Sequence, residues 1–169
     1  MTTPADFARA LVAQNRLPEI YRSVEPAWPH EGCGFVFQFG DELRVLPTLN
    51  RVPMLQEKFP DEYPRGADDW FEPDMKPWLR SVREGGEPRV IYHSHPEVGA
   101  YFSQPDRDMA RFTNDEGVVV ERNPGVLHIV VSVRQGKADG ALLFTWNEQT
   151  RDFDEAAAFD ADGQLVVKA

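Results

Sequence analysis

With Cys33 as its only cysteine, the chain cannot close an internal disulfide, so burial has to hold its fold together; that usage suits a reducing compartment. Long apolar runs are missing as well: none reaches the about 18 residues that cross a bilayer as a helix. The start Met1-Thr2-Thr3-Pro4-Ala5-Asp6 lacks the basic residues of a secretory leader. A cytoplasmic location with no membrane partner is therefore expected. Basic charge is scarce, with 18 Lys and Arg against 28 Asp and Glu for a formal net charge of −10, the wrong sign for gripping a phosphate backbone. Nucleic acid is not an expected partner, and a basic or neutral protein is easier to accommodate. Repeats and low-complexity segments are absent.

A chain of 169 residues with 41% hydrophobic content can bury one substantial core, which points to a single domain over 1–169. Phe7 to Val12 and Ile20 to Val24 read as helical segments separated near Pro18 and ended by Pro26, Trp28 and Pro29. Phe35-Val36-Phe37-Gln38-Phe39, Gly40-Asp41 and Leu43-Arg44-Val45-Leu46 read as a β-hairpin. Residues 51 to 69 carry Pro53, Pro60, Pro64 and Gly66 among charges and are expected as a long loop or insertion, a substrate-facing flap. Pro73 to Val82 should be a helix stopped by Gly85-Gly86. A helix is expected from Asp106 to Phe112, then strands at Leu127 to Val133 and Ala141 to Trp146 around a Gly136 to Gly140 turn. Phe153 starts another strand. Leu165-Val166-Val167, in the tail over 160–169, is either a last edge strand or disordered.

Histidine is rare too, and its placement carries information. Of His30, His93, His95 and His128, two stand one residue apart in Tyr92-His93-Ser94-His95-Pro96. The preceding Arg89-Val90-Ile91-Tyr92 is strand-like, and on a strand residues i and i+2 share a face with Cα atoms about 7 Å apart. Both imidazoles can then reach one cation, and Asp106 from the next element fits a third ligand position. Three protein ligands leave one tetrahedral position open to water, as catalytic rather than structural zinc sites do. Ser103-Gln104-Pro105-Asp106 also reads as a helix start, with Ser103 at the N-cap, and capping would aim Asp106 at the strand end.

These residues resemble the JAMM (MPN+) zinc metalloproteases, whose signature is an upstream glutamate followed by His-x-His-x7-Ser-x2-Asp. The upstream glutamate falls on Glu31, in Pro29-His30-Glu31-Gly32-Cys33-Gly34. The resemblance, over about residues 5 to 150, implies a single α/β domain of αβα, cytidine-deaminase-like type with a mixed sheet flanked by helices. It implies Zn2+ held by His93, His95 and Asp106, with Glu31 as general base and Ser103 as oxyanion stabiliser. Taken alone, Glu31 reads as a solvated loop carboxylate.

Family members cleave after the C-terminal Gly-Gly of ubiquitin-like proteins. Val90 to His95 and Ala100-Tyr101-Phe102-Ser103 look like the bacterial enzymes that process small ubiquitin-like sulfur carriers, one type of which releases cysteine. The resemblance thus implies a Gly-Gly-ending carrier as partner, its tail bound through the backbone in extended form. Rivals are a deubiquitinase-like isopeptidase, a RadC-like protein and a non-catalytic MPN scaffold. A two-histidine-one-carboxylate set also suits non-haem iron, but Ser103 and Glu31 supply what hydrolysis needs and oxygen activation does not. Cys33 reads as a core residue rather than a nucleophile, and His128 as a hydrogen-bonded core or edge histidine, not a ligand.

Overall fold

A computed structural model describes residues 3–166. The chain runs α1 (Pro4–Ala13), α2 (Arg16–Val24), a 3-10 turn, β1 (Cys33–Phe39), β2 (Glu42–Thr48), α3 (Val52–Lys58), α4 (Lys76–Arg83), β3 (Glu87–Pro96), α5 (Gln104–Ala110), β4 (Arg111–Thr113), β5 (Val119–Glu121), β6 (Leu127–Arg134), β7 (Lys137–Asn147) and β8 (Asp152–Phe159). Six strands form a mixed sheet in the order β2-β1-β3-β6-β7-β8, and β4 pairs with β5 apart from it. Within the main sheet β3 and β6 run parallel, whereas the other pairs are antiparallel. This is the α/β architecture expected from the sequence.

Helices cover both faces. Phe7 and Leu11 of α1 and Leu17, Ile20 and Val24 of α2 pack with Val36, Val45, Val90, Tyr92, Ile129 and Leu143 into one apolar core. On the other face Trp78 of α4 stands edge-on to Phe35 and Phe37, each at 5.2 Å, and Phe102 stacks on Phe144. Alternation along β3 therefore sends Val90 and Tyr92 beneath α1 and α2, and Ile91, His93 and His95 to the opposite layer.

Local chemistry explains the boundaries. Thr3 and Asp6 form a capping box at the start of α1. The break between α1 and α2 falls at Asn15, left-handed at φ 56°, and not at Pro18, which sits in the first turn of α2 where its missing N–H costs nothing. Helix α4 ends as expected at Gly85, φ 83°, with Gly86 N–H donating to Ser81 C=O at 2.9 Å and Gly85 N–H to Val82 C=O at 3.1 Å, a Schellman closure.

Several expectations need correction. Residues 51 to 69 are not a loop throughout, because Val52–Lys58 is helical with Pro53 in its first turn. The helix carrying Asp106 stops at Ala110, where β4 begins and pairs with β5, so it does not reach Phe112. The β6–β7 turn is Gln135-Gly136, both at positive φ (49° and 77°), a two-residue hairpin loop. Gly140 lies inside β7, opposite Ser132 at a bulge. Leu165 bridges Phe159, and Val167 lies outside the described residues. Among the described residues no helix is long and apolar enough to cross a membrane.

Candidate metal centre

His93 and His95 point to one side of β3, and both are buried. Asp106 reaches them from the first turn of α5, where it forms a capping box with Ser103. Its Oδ2 accepts from the Ser103 backbone N–H at 2.8 Å and from the Ser103 hydroxyl at 2.6 Å. The helix-start reading and the ligand reading of this stretch therefore hold together: the cap fixes the turn that aims the carboxylate.

Glu31 arrives from the turn before β1, fixed by its backbone. Its N–H donates to Ala67 C=O at 2.6 Å, and its C=O accepts from Asn50 Nδ2 at 3.0 Å. The next residue, Gly32, donates to Ser94 Oγ at 2.8 Å and accepts from Ser94 N–H at 2.9 Å. Ser94 stands between the two histidines, so the motif itself carries the tie that registers Glu31 against them.

The polar atoms converge. His93 Nε2 and His95 Nε2 are 3.1 Å apart, and each is 3.3 Å from an Asp106 carboxylate oxygen. Glu31 Oε1 lies 3.7 Å from His95 Nε2. A tetrahedral ion with ligand bonds of about 2.0–2.1 Å separates its ligands by about 3.3 Å, so the set has the spacing of one coordination shell. Glu31 Oε2, His93 Nδ1 and His95 Nδ1 are buried without a partner, and leaving such atoms unpaired costs about 1–3 kcal/mol each. The buried His93-His95-Asp106 cluster can hold a metal ion.

Burial drives the electrostatics. Glu31 is 3% exposed, and desolvation, with the Asp106 charge adding to it, pushes its carboxyl up to about 9. Desolvation also lowers His93, keeping the imidazole neutral as a metal ligand must be. It works the other way on Asp106, but His93, His95 and Ser103 outweigh it and hold that carboxyl below its ordinary value. The Cys33 thiol is pushed up to about 12 by burial and then by Glu31, which agrees with a core residue and not a nucleophile.

Some contributors carry no motif. Phe71 stacks on His93 at 4.3 Å and Tyr101 stands edge-on to His95 at 4.9 Å. Asn50 ties the chain together here, accepting from Val52 N–H and Glu72 N–H and donating to Glu31 C=O and Trp70 C=O. A cleft of about 230 Å³ opens beside the cluster, lined by Glu31, His95, Tyr101 and Ser103 and, from the 51–69 segment, by Arg65 and Asp69. His128 is buried but outside the cluster. Its ring packs against Phe102 and Phe153, each at 5.0 Å, and burial holds its pKa at about 3. Contrary to expectation, its ring makes no hydrogen bond among the described residues, although its backbone is paired between β3 and β7.

Comparison with known proteins agrees with this layout. The solution structure of protein DSY2949 from Desulfitobacterium hafniense aligns with TM-score 0.56 at 20% identity, covering 84% of this chain and 86% of that one. A protein from Salinibacter ruber aligns with TM-score 0.48 at 23% identity, covering 82% and 86%. At 20% identity the likeness to the Desulfitobacterium protein speaks for the fold alone. No curated protein matches the chain in sequence. The model of the prokaryotic homologs of the JAB domain matches residues 14–149, and with the motif and the buried cluster already in place, the chain belongs to that family.

Proposed function

We propose that the chain is a zinc-dependent peptidase that hydrolyses the bond after the C-terminal Gly-Gly of a ubiquitin-like sulfur-carrier protein, releasing cysteine. The observation that carries the hydrolase reading is the convergence of His93, His95 and Asp106 at ligand spacing with a buried carboxyl, Glu31, 3.7 Å from His95 Nε2. His93, His95 and Asp106 are the residues that would hold Zn2+. When bound, zinc supplies positive charge that polarises the scissile carbonyl, eases loss of a proton from water and favours the ionised form of Glu31.

The chain's own groups do the rest. Glu31, as carboxylate, takes a proton from the attacking water while oxygen bonds to the carbonyl carbon, and returns it to the amine as the C–N bond breaks. The products are a carrier ending in a Gly-Gly carboxylate and a free amine. Ser103 Oγ donates to the oxyanion. In the structure that hydroxyl donates to Asp106, but the Ser103 backbone N–H holds the same carboxylate oxygen. The hydroxyl can therefore turn to the substrate while Asp106 stays in place.

The carrier reading is supported by the resemblance of the two motif segments and by a narrow cleft that a glycine pair, lacking Cβ atoms, can enter closely. Arg65, Asp68 and Asp69 form part of its wall, in keeping with a substrate-facing flap. The test incubates zinc-loaded protein with two carriers, one ending Gly-Gly-Cys and one joined through Gly-Gly to a lysine side chain, and reads both by mass spectrometry. Loss of cysteine from the first alone is the expected result. Cleavage of the second alone moves the activity to isopeptide hydrolysis. Failure to take up zinc turns the reading to a non-catalytic scaffold.

A further inference from the structure

Cleavage at the very end of a chain makes a demand that cleavage within one does not. When the residue after Gly-Gly is the last, its carboxylate carbon stands two bonds, about 2.5 Å, from the nitrogen of the scissile bond. That carboxylate must therefore be housed in the same cleft as Glu31, His95 and Ser103, about 230 Å³ in volume. The walls oppose it, because Glu31, Asp68 and Asp69 all line the cleft. An anion brought among carboxyl groups needs a cation, since desolvation and like charge both act against it.

Among the described residues that line the cleft, Arg65 is the only lysine or arginine. Its segment is registered against Glu31 by the backbone. Ala67, two residues on, accepts from Glu31 N–H at 2.6 Å, and Asn50 Nδ2 donates both to Glu31 C=O and to Trp70 C=O. Tyr63 stacks on Trp70 at 5.3 Å, and the Arg65 guanidinium stands 5.9 Å from the Trp70 ring. Asp69 orients that guanidinium: its Oδ2 accepts from Nε at 3.3 Å and its C=O from Nη2 at 2.5 Å. Nη1 makes no hydrogen bond among the described residues. One end of the planar fork is thus held by the flap while the other keeps donors for an acceptor, and a guanidinium matches a carboxylate in both charge and shape.

We propose that Arg65 determines specificity for the leaving group: it binds the α-carboxylate of a single terminal residue, so that hydrolysis favours tails that run one residue past Gly-Gly and end there. The inference rests on the proposed peptidase reading for the placement of Gly-Gly. Water adds across the C–N bond, the nitrogen leaves as an amine with the returned proton, and the carboxylate on Arg65 is unchanged. A lysine side chain joined through an isopeptide bond offers no carboxylate at that place, and neither does a terminal amide. The Arg65 side chain is 37% exposed, which holds a charge-assisted contact to the lower end of its range, about tenfold in binding.

The test uses the full chain loaded with zinc and three synthetic tails: Gly-Gly-Cys with a free carboxylate, the same tail with a terminal amide, and Gly-Gly-Cys-Ala, which moves the carboxylate one residue outward. Hydrolysis is followed by mass spectrometry as kcat/KM, and binding of the intact tails is measured by titration calorimetry in the Glu31→Gln background. The free acid is expected to be favoured about tenfold over the other two in both measurements. Arg65→Gln should bring the three tails level with zinc content at the wild-type value, and Arg65→Lys, which keeps the charge, should retain part of the preference. A merely structural role in the flap would lower all three tails alike and keep their ratio. Equal handling of acid and amide by the wild-type chain, or a preference that survives Arg65→Gln, overturns the assignment. Acid-selective binding without hydrolysis would leave Arg65 its role and remove the peptidase reading, whereas hydrolysis of all three tails at like rates would do the reverse.

Discussion

Replacing Glu31 by Gln gives the ion-free protein a pH signature that can be worked out beforehand. The Glu31 carboxyl titrates near 4.5 in an ordinary setting and is raised to about 9 in the folded protein, chiefly by burial. Between those values the folded state keeps a proton that the unfolded state has released, so stability is full below about pH 4.5 and falls as pH rises toward 9. At about 1.36 kcal/mol per pH unit the whole interval amounts to about 6 kcal/mol, an upper bound because water entry and local relaxation reduce it. The neutral amide of Gln carries no such loss. Near pH 5 Glu31→Gln should leave thermal unfolding in a chelator unchanged, and near pH 9 it should raise stability by at least about 2 kcal/mol, or about 4–8 °C in Tm for a chain of this size. Zinc should shrink the difference at high pH, since a nearby cation favours the carboxylate. An equal shift at both pH values, or none at either, would mean that Glu31 is not the buried carboxyl described.

Other outcomes follow from the same geometry. Glu31→Gln should keep its zinc, read by metal analysis, while turnover falls by orders of magnitude; unchanged turnover would remove Glu31 from the chemistry. His95→Ala and Asp106→Asn should each lower zinc affinity more than tenfold in a competition titration with a chromogenic chelator. Ser103→Ala removes both a cap and the proposed oxyanion donor, so it should cost about 1 kcal/mol by denaturant unfolding and lower kcat by about 10²–10³. Gly34→Ala places a Cβ against the Tyr92 hydroxyl and the Leu46 carbonyl in the middle of the sheet, and should lower Tm strongly with no route through the metal centre.

The donor set was legible because it rests on two short periods, i and i+2 on a strand for His93 and His95, and a cap spacing of three for Ser103 and Asp106. Glu31 was legible only through the family motif, since its approach depends on the β1–β3 register that sets Cys33 opposite His93 and on the Gly32–Ser94 tie. Nothing local announces that Phe71 stacks on His93 or that Asn50 joins Glu31 to Trp70. The misplaced boundaries share a cause: Pro18 and Pro53 were weighed as breakers when each lies in a first helical turn, and Gly140 as a turn residue when it serves a bulge. His128 stays outside the ligand set, as its place in an apolar strand indicated, but only the folded layer shows that its ring packs against Phe102 and Phe153.

Strand β2 forms one margin of the sheet, with Pro47 inside it and Glu42 and Arg44 exposed along it. Proline offers no amide hydrogen to an incoming chain, and fixed charges discourage stacking of like sheets, so this border resists ribbon-to-ribbon growth. A protein whose proposed work is to handle extended, glycine-ended tails would otherwise present them with a decoy groove far from the reacting centre. Closing that margin removes one of the sheet's two edges as a competing resting place.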